Sequence, residues 1–476
     1  MAEQRTELLI IGGGPGGYAA AFMAADLGHS VTIIDEQENP GGVCLYRGCI
    51  PTKALLNSVK HLHDGRRAEQ FGISFGEPKI DLKQIRRSID GVVQKLTKGV
   101  GGLAKKRGVA FIQGRASFTA SNTVEIDPYS DSDQKATRLE FEKAIIATGS
   151  HPVELPNISF QSEYVWSSAD ALEMREIPER MLVIGAGYIG LELGYAYASL
   201  GSKVTVADIM PEIMPGADRD VISIFKKANS GLFEGFFTET SAAEITEGKN
   251  GVTVRFEGDG APEDPVEYDR ILLTVGRKPN MEEMGLENTK VEFSEKGFLQ
   301  VDKQFRTADP SIFAIGDVIG APLLAHKASH EGRIAAEVFH GKNVAFDNRV
   351  IPSVEYTEPE IAWAGLSENE AESQGRKVSV LTFPWAASGR AVTLGATTGL
   401  TKLIVDPESE RILGGAIVGS QAGELIGEIA LAIEMGATAE DLALTIHPHP
   451  TLSETIMEAG ETLFGTSTHI YRPLKS

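Results

Sequence analysis

The chain is poor in cysteine, with two among 476 residues. It also lacks any uninterrupted run of roughly 20 apolar residues, the length that a membrane span needs. Residues 1–7 lack the basic and then apolar order of a signal peptide. These absences argue against a disulfide-stapled framework and a membrane protein, and they predict a cytoplasmic protein.

Positive charge is in deficit as well, because 45 Lys and Arg face 66 Asp and Glu, for a formal net charge of −21. Such a surface repels phosphate backbones and anionic bilayers, and no local basic patch stands out. We therefore expect neither nucleic acid nor a membrane among its partners. A hydrophobic content of 42%, with 51 glycines and 22 prolines, is typical of a globular protein with many turns. The length predicts two to four domains.

The two cysteines lie close together, as Cys44 and Cys49 in the stretch GGVCLYRGCIP. A chain this long gains little stability from so short a loop, so the pair indicates redox chemistry; two inert buried thiols are the alternative. A helix expected from near Thr52 would stabilise a thiolate at its N-terminus. Five residues of regular helix rise roughly 7.5 Å, too far for a disulfide, so we expect a local distortion here.

A dinucleotide-binding unit is indicated by residues 7–35. An apolar segment, a G-x-G-x-x-G motif, a helical period and a second apolar segment follow one another. In such a unit the glycines let the backbone approach a pyrophosphate at a helix N-terminus, and a carboxylate after the second strand binds ribose hydroxyls. The residues concerned are Gly12, Gly14, Pro15, Gly17 and Asp35.

The same unit recurs over residues 181–208, with the same spacing between its first glycine and its acid. A tight turn without a ligand is the alternative for one loop alone, and the repetition argues against it. The acid would repel the 2′-phosphate of NADP, and residues 209–211 offer no arginine to receive one, so we predict an NAD site. Its residues are Gly185, Gly187, Tyr188, Gly190 and Asp208.

Taken together, these motifs resemble those of the flavin-dependent pyridine nucleotide-disulfide oxidoreductases. The resemblance extends over essentially the whole chain. Beyond the glycine loops and the cysteine segment, it rests on ATG at 147–149, VGRKPN at 275–280, IFAIGD at 312–317 and HPHPTLSE at 447–454.

The resemblance implies an α/β fold with two Rossmann-like dinucleotide-binding domains, for FAD and NAD, plus a C-terminal α+β dimerisation domain. The expected ranges are 1–150 for the FAD domain, 151–275 for the NAD domain, 276–346 for a central domain completing the FAD site and 347–476 for the dimerisation domain. Within the last, apolar segments predict strands at 354–356, 361–364, 400–405 and 414–418, and helices at 423–435 and 453–464.

The resemblance also implies catalytic roles. Cys44 would be the thiol that meets substrate, and Cys49 the thiolate lying against the flavin. His449 would be the acid and base, oriented by Glu454. Because the family's histidine acts on the disulfide of the other subunit, a homodimer is implied. Thr451 and Glu454 also match a capping box, so Glu454 could simply cap a helix.

Further cofactor residues follow from the resemblance. Lys53 would lie near the flavin with Glu192 as its partner, two unrelated solvated charges being the alternative. Asp317 would bind the ribityl chain, where a simple Gly-Asp turn is the alternative. A helix from near His326 would direct its positive end at the flavin. The remaining predicted contacts are Thr148, Gly149, Gly276, Gly316 and Ala325, and no metal site is predicted.

The implied activity is the oxidation of dihydrolipoamide on a lipoyl carrier protein or domain, with electrons passing through the disulfide and FAD to NAD. One alternative is an NAD(P)H-dependent reductase of another disulfide or of a metal. Another, from a different class, is a scaffold in a multienzyme assembly. Residues 468–476 contain no cysteine, unlike the C-termini of mercuric and high-molecular-weight thioredoxin reductases.

One departure from the family pattern lies between the cysteines, where Tyr46 and Arg47 replace the usual asparagine and valine. Arg47 would lower a nearby thiol pKa if it points inward, and would favour an acidic carrier surface if it points outward. We therefore hypothesise an altered carrier choice or disulfide potential.

Overall fold

The computed structural model describes residues 4–128 and 137–471. Contacts within the chain divide it into two compact units. The first unit comprises residues up to 54, 83–153 and 276–347, and the second comprises 55–82, 154–275 and the residues from 348 onward. No helix in the described part of the chain is long and apolar enough to cross a membrane.

The described residues form both α-helices and β-strands, as expected for an α/β chain. The helices are α1 (Pro15–Asp26), α2 (Gly42–Arg47), α3 (Cys49–Arg67), α4 (Leu82–Lys106), α5 (Ser168–Leu172), α6 (Tyr188–Leu200), α7 (Arg219–Ala228), α8 (Ala325–Phe339), α9 (Glu368–Ser373), α10 (Gly389–Leu394), α11 (Ala422–Met435), α12 (Ala439–Leu444) and α13 (Glu454–Glu461). Short 3₁₀ turns lie at Ala68–Phe71, Leu286–Asn288, Gly316–Ile319 and Trp385–Ala387.

The strands up to the middle of the chain are β1 (Gln4–Ile11), β2 (Val31–Asp35), β3 (Ala110–Ala120), β4 (Thr123–Pro128), β5 (Thr137–Ile146), β6 (Ser150–Pro152), β7 (Val165–Trp166), β8 (Arg180–Ile184), β9 (Lys203–Ala207), β10 (Gly235–Phe237), β11 (Thr240–Glu247), β12 (Val252–Gly258), β13 (Val266–Tyr268) and β14 (Arg270–Leu273). Those that follow are β15 (Arg277–Pro279), β16 (Ile312–Ala314), β17 (Ser353–Glu355), β18 (Glu360–Gly365), β19 (Ser379–Pro384), β20 (Leu400–Val405) and β21 (Ile412–Gly419).

The first unit is built on a parallel sheet in the order β3, β2, β1, β5, β16. Ile10 pairs with Ile33 on one side and Ile145 on the other, and all three side chains are buried. Such near-continuous apolar strands are typical of parallel sheets covered on both faces. Strands β3, β4 and β5 extend as an antiparallel meander. Because β1 has neighbours on both sides, the loop after it lies at the switch point where dinucleotides bind.

The second unit repeats this plan and adds a third sheet. Its parallel sheet has the order β10, β9, β8, β14, β7, and β11, β12 and β13 form a separate antiparallel meander. The third sheet is antiparallel, in the order β17, β18, β21, β20, β19, and it packs against α11 and α13. The core of this sheet includes the fully buried Trp385, whose indole N–H donates to Thr401 Oγ1 at 3.0 Å.

The expected helix start near Thr52 is wrong, because α3 begins at Cys49. Gly48 (φ −141°, ψ −116°) interrupts the segment and separates α2 from α3. A Cβ at Gly48 would lie 2.9 Å from the Val43 carbonyl oxygen, so this close approach requires glycine. The predicted distortion between the two cysteines is therefore a break between two helices.

In the C-terminal part, the four predicted strands are present as β17, β18, β20 and β21. The two predicted helices correspond to α11 and to α13, which ends at Glu461, before the expected residue 464. Strand β19 had not been expected from the sequence.

Candidate redox and nucleotide-binding sites

The two cysteines lie side by side in the first unit and are both present as thiols. Cys44 is in α2, and Cys49 is the first residue of α3. A hydrogen bond between their side chains, burial and the negative charge of Cys49 all raise the pKa of Cys44. Cys49, by contrast, lies at a helix N-terminus, a position that favours a thiolate.

Two cations lie near this pair. Lys53, one turn along α3, acts to lower the pKa of Cys44. Burial lowers the pKa of the Arg277 guanidinium, while the charges of Asp317 and Cys49 act in the opposite direction. Two positively charged side chains, Lys53 and Arg277, therefore lie near the cysteine pair in the first unit. Arg277 lies in the VGRKPN motif, but its link to the dithiol requires the folded structure.

In the first glycine loop, the three glycines serve two different purposes. Gly12 has φ +102°, and a Cβ there would lie 2.3 Å from the Ala147 carbonyl oxygen. A Cβ at Gly17 would lie 1.9 Å from the Gly12 carbonyl oxygen, so both positions require glycine for the fold. Gly14 (φ −69°, ψ −177°) has an ordinary extended conformation, and a Cβ there would make only a 3.9 Å contact with Gly42. The fold therefore leaves space at Gly14, in front of the unpaired N–H groups of α1.

The second glycine loop repeats this geometry. Gly185 has φ +103°, and a Cβ at Gly190 would lie 2.0 Å from the Gly185 carbonyl oxygen. Gly187 (φ −83°, ψ −175°) again has a conformation open to any residue, and a Cβ there would meet no atom of the described chain within 4 Å. Space in front of the N-terminus of α6 is thus preserved in both copies. Pro15 and Tyr188 occupy the first helical position in the two loops.

The acids after the second strands of the two units are held alike. Asp35 accepts the N–H groups of Gly13 and Gln37, at 2.6 and 2.8 Å. Asp208 accepts the equivalent N–H groups, those of Ala186 and Met210, at 2.6 and 2.8 Å. Burial raises the pKa of Asp35, and its two N–H donors oppose that rise. Each carboxylate is thereby fixed beside its glycine loop.

A network of polar residues surrounds Asp317, at the end of β16. Ser150 Oγ donates to Asp317 Oδ2 at 2.5 Å, and Arg277 Nε donates to Ser150 Oγ at 2.7 Å. The Gly316 N–H donates to Glu331 Oε2 at 2.7 Å. Gly316 has φ +74°, in the region that favours glycine. Ser150 and Glu331 had not been singled out from the sequence, since only the fold brings them to this aspartate.

Helix α8 begins at Ala325, next to the expected start, and carries a buried ion pair. Lys327 Nζ lies 2.6 Å from Glu331 Oε1, and the two side chains are 8% and 1% exposed. Burial raises the pKa of Glu331, while Lys327 and the Gly316 N–H act to lower it. The ion pair thereby connects the start of α8 to the turn that carries Asp317.

The ATG segment joins the strand pair β6 and β15. Thr148 Oγ1 donates to the Asn280 carbonyl at 2.6 Å, and Asn280 Nδ2 donates to the Thr148 carbonyl at 2.8 Å. The Asn280 N–H donates to the Gly149 carbonyl at 2.9 Å, and the Gly276 carbonyl accepts from Val153 at 3.1 Å. The Thr148 hydroxyl is therefore used within the protein, and cofactor binding by these residues stays a prediction.

On α6, Glu192 is buried and accepts the Tyr356 N–H at 3.2 Å. The Lys53–Glu192 pair stays a prediction. Tyr188, at the start of the same helix, stacks on Trp363 with ring centroids 5.7 Å apart and planes inclined by 10°. Burial raises the pKa of Tyr188.

The C-terminal histidines lie just before α13. His449 Nδ1 is 2.9 Å from Glu454 Oε1, while Glu454 Oε2 accepts the Thr451 N–H at 2.7 Å. Burial acts to raise the pKa of Glu454, but the Thr451 N–H and His449 outweigh it and lower that pKa. An ionised carboxylate can only accept, so the proton lies on Nδ1 and Nε2 is left to take another. Glu454 therefore contacts both His449 and the Thr451 backbone. The capping box is not formed, because the N-cap of α13 is Ser453, without a side-chain cap bond, and the Thr451 hydroxyl donates to the Pro448 carbonyl.

His447 differs from its neighbour His449. Its Nδ1 lies 2.8 Å from the Thr445 carbonyl, and its Nε2 lies 2.7 Å from Glu428. Both ring nitrogens of His447 contact acceptors within the protein, so neither is open to a substrate. The His449 side chain is 73% exposed, so its Nε2 can meet a substrate.

The two residues that depart from the family pattern point in different directions. The Tyr46 hydroxyl donates to the Asn39 carbonyl at 3.0 Å and accepts the Asn39 N–H at 3.3 Å, which fixes the turn before α2. Arg47 is exposed. Of the two hypotheses for Arg47, its exposure favours the one that concerns a carrier surface.

Three carboxylates in the second unit, Asp218, Asp220 and Glu368, come close enough together to hold a cation. The ammonium of the buried Lys402 lies among them, at 2.9, 3.0 and 2.5 Å. The place of a cation in this cluster is therefore already taken by a side chain of the protein.

The chain matches the models of a known protein family over most of its length. Residues 6–332 match the model of the pyridine nucleotide-disulphide oxidoreductases, and residues 351–460 match the dimerisation domain of the same family. Proteins named dihydrolipoyl dehydrogenase from Vibrio cholerae and Thermus scotoductus are 46% and 47% identical to the chain, each over 98% of both sequences.

Solved structures are similar as well. LpdA from Mycobacterium tuberculosis matches with a TM-score of 0.87 and 28% identity, over 97% of this chain and 99% of that one. The Cu(II) complex of the HOCl-induced flavoprotein disulfide reductase RclA from Escherichia coli matches with a TM-score of 0.86 and 25% identity, over 97% and 100%. The chain belongs to the pyridine nucleotide-disulphide oxidoreductase family, with the family's dimerisation domain at its C-terminal end.

Proposed function

We propose that this protein is a dihydrolipoyl dehydrogenase, which oxidises carrier-bound dihydrolipoamide and reduces NAD. The observation that carries the proposal is the dithiol in the unit of the first glycine loop, where the pKa of Cys44 is raised and Cys49 lies at a helix N-terminus. Relatives that are 46% and 47% identical to the chain have this name. The unequal sulfurs match a reaction in which one meets substrate and the other keeps the negative charge.

The chemistry at sulfur is thiol–disulfide exchange. With the cysteines oxidised, a substrate thiol gives its proton to His449 Nε2, and the resulting thiolate attacks Cys44 Sγ. The Cys44–Cys49 bond breaks, and Cys49 leaves as the thiolate. The second substrate thiol then displaces Cys44, gives its proton to the departing Cys44 sulfur and forms the cyclic disulfide of lipoamide. The substrate loses two electrons, and the cysteine pair gains them.

The first unit fits FAD. The space at Gly14 and the N-terminus of α1 suit a pyrophosphate, and Asp35 suits the ribose hydroxyls. Asp317, held by Ser150, suits a ribityl chain, and the N-terminus of α8 supplies positive potential for a flavin ring. When bound, FAD supplies two-electron transfer between the dithiol and the nicotinamide. The glycine of the ATG motif, Gly149, belongs to the same proposed site, as do Thr148, Gly316 and Ala325.

The second unit fits NAD through its glycine loop. Gly187 leaves room for a pyrophosphate, and Asp208 is placed for ribose hydroxyls. The next residues, Ile209 and Met210, are exposed and apolar, at 72% and 46%, and provide no cation for a 2′-phosphate. We therefore propose NAD rather than NADP, with Gly276 as a further contact; Glu192 stays the proposed partner of Lys53.

We propose that two copies form the working enzyme, so that His449 of one subunit serves Cys44 of the other. The dimerisation-domain match supports the pairing. The matched region also carries exposed apolar side chains, as a surface covered by a second copy would: Leu431, Met435, Leu444 and Ile446 are 62–96% exposed. We also propose domain borders at residues 150, 275 and 346, a lipoyl carrier as partner and a cytoplasmic location.

Turnover by the purified protein tests this function. We expect NAD reduction with dihydrolipoamide, and NADP reduction at least tenfold less efficient in kcat/KM because Asp208 repels the 2′-phosphate. The reverse assay offers NADH or NADPH with glutathione disulfide, oxidised thioredoxin or Hg²⁺. A preference for one of these acceptors over lipoamide would support the alternative, a reductase of another disulfide or of a metal. The absence of turnover in every assay would support a scaffold.

A further inference from the structure

A second carboxylate–imidazole pair lies beside the proposed acid and base. Glu454 and Glu458 are one turn apart on α13. The first carboxylate binds His449, and the second binds His469, from the segment after the helix. Two like pairs therefore stand side by side, although only the first belongs to the HPHPTLSE motif.

Glu458 is fixed in place by the residues that follow α13. Its side chain is 5% exposed. One carboxylate oxygen binds the His469 ring at Nδ1, and the other accepts the Ser467 hydroxyl at 2.5 Å. Because this carboxylate is buried and anchored, its charge stays one helical turn from Glu454 and cannot move away into solvent.

A third carboxylate, Glu461, adds to the negative charge on this helix. Burial and the charge of Glu458 raise the pKa of Glu461, while the Thr468 N–H and His469 act to lower it. Its Oε2 is buried without a hydrogen-bond partner in the described part of the chain. Three carboxylates thus face two imidazoles, His449 and His469. Without positive charge on His469, the carboxylates of Glu458 and Glu461 would disfavour negative charge on Glu454.

We propose that His469, bound to Glu458, is a positioning residue for proton transfer, because its positive charge keeps Glu454 ionised and so keeps His449 in the tautomer with a free Nε2. The inference rests on the proposed function of His449 and Glu454. His469 acts through Glu454 and touches no substrate. The charge of His469 lowers the pKa of Glu454, in agreement with this role.

Coulomb's law gives the size of the effect. His469 is half exposed, so water screens its charge. Two unit charges about 6 Å apart in water interact by about 0.7 kcal/mol, which moves a titration midpoint by ~0.5 pH unit. On the acid limb of the pH–rate profile, a shift of that size changes the rate about threefold.

The test compares the midpoints of the acid limb among variants of the holoenzyme in the dihydrolipoamide assay. We expect H469Q to raise the midpoint by ~0.5 pH unit, because the cation is lost. H469K keeps a cation at this place and should keep the wild-type midpoint. E458Q removes a negative charge and should lower the midpoint by a similar amount.

S467A is the matched control, since it removes a bond to Glu458 without changing charge, and its midpoint should equal that of the wild type. Equal midpoints for H469Q, H469K and wild type would overturn the inference, as would shifts of H469Q and E458Q in the same direction. His469 is 53% exposed, so its substitutions leave the core unchanged even if E458Q fails to fold.

A second measurement does not depend on turnover. The Glu454 carboxyl can be titrated by ¹³C NMR with labelled glutamate and assigned with E454Q. Its midpoint should rise in H469Q and return in H469K; an unchanged midpoint overturns the inference. Wild-type enzyme without dihydrolipoamide activity would count against the proposed function, whereas an active enzyme with unshifted variants would count against the role of His469 alone.

Discussion

The middle glycine of the second loop offers a sharp test, because the fold does not need it. Gly187 has φ −83° and ψ −175°, angles that alanine adopts freely, and a Cβ would meet no described atom within 4 Å. G187A should therefore fold as the wild type does, and lower backbone entropy in the unfolded chain could add about 0.4–1 kcal/mol of stability. The added methyl nevertheless occupies the space proposed for the pyrophosphate of NAD. We expect the KM for NAD to rise at least tenfold, about 1.4 kcal/mol of binding free energy.

G190A is the contrasting variant, three residues along the same helix. Its Cβ would lie 2.0 Å from the Gly185 carbonyl oxygen and 2.6 Å from Thr274 Oγ1, so the backbone must move. Overpacking of this kind costs about 3 kcal/mol or more, and the melting temperature should fall by several degrees. Melting temperatures from calorimetry and the KM for NAD, measured on both variants, show whether each glycine is required by the fold or leaves room for the ligand. A G187A enzyme with wild-type stability and wild-type KM for NAD would refute the reasoning.

The remaining predictions concern the dithiol, the acid and base, and the buried ion pair. C49S should lower dihydrolipoamide turnover at least ~10³-fold while bound flavin, measured by absorbance, is retained, because the substitution removes the leaving thiolate; turnover within tenfold of wild type would contradict this role. E454A should lower kcat by about 10²–10⁴-fold through loss of the His449 tautomer. The pKa of Glu454 is lowered in the folded protein, so its ionised carboxylate stabilises the fold above the ordinary carboxyl pKa. This stabilisation is lost as pH falls through the folded pKa. In calorimetry at acid pH, the melting temperature of E454Q should therefore depend less on pH than that of the wild type. E331A leaves Lys327 buried and unpaired, so unfolding should become easier by about 3–5 kcal/mol, with a smaller loss in E331Q; equal melting temperatures for E331A and wild type would show that the pair is not needed.

The glycine loops could be located from the sequence because their signals are local. The spacing of Gly12, Gly14 and Gly17 after an apolar strand is set by a turn within a few residues, and the second copy repeats it. The sequence could not show which glycine is required by the fold and which leaves space for a ligand. For Gly12 the answer depends on the carbonyl of Ala147, which follows β5, far along the chain.

The start of α3 and the residues around Asp317 had to come from the structure. Gly48 ends α2 because the Val43 carbonyl lies against it, a contact that no propensity encodes. Ser150 and Glu331 reach Asp317 and its neighbour across long sequence separations. For the same reason the Glu458–His469 pair has no sequence signature, whereas His449 and Glu454 share one motif.

Anaerobic addition of one equivalent of dihydrolipoamide to the yellow holoenzyme tests the central claim most directly. If the Cys49 thiolate lies against the flavin, a long-wavelength absorption band should appear as the cysteine pair is reduced, and it should be absent in C49S. An unchanged spectrum in the wild-type protein, or an equal band in C49S, would contradict the account.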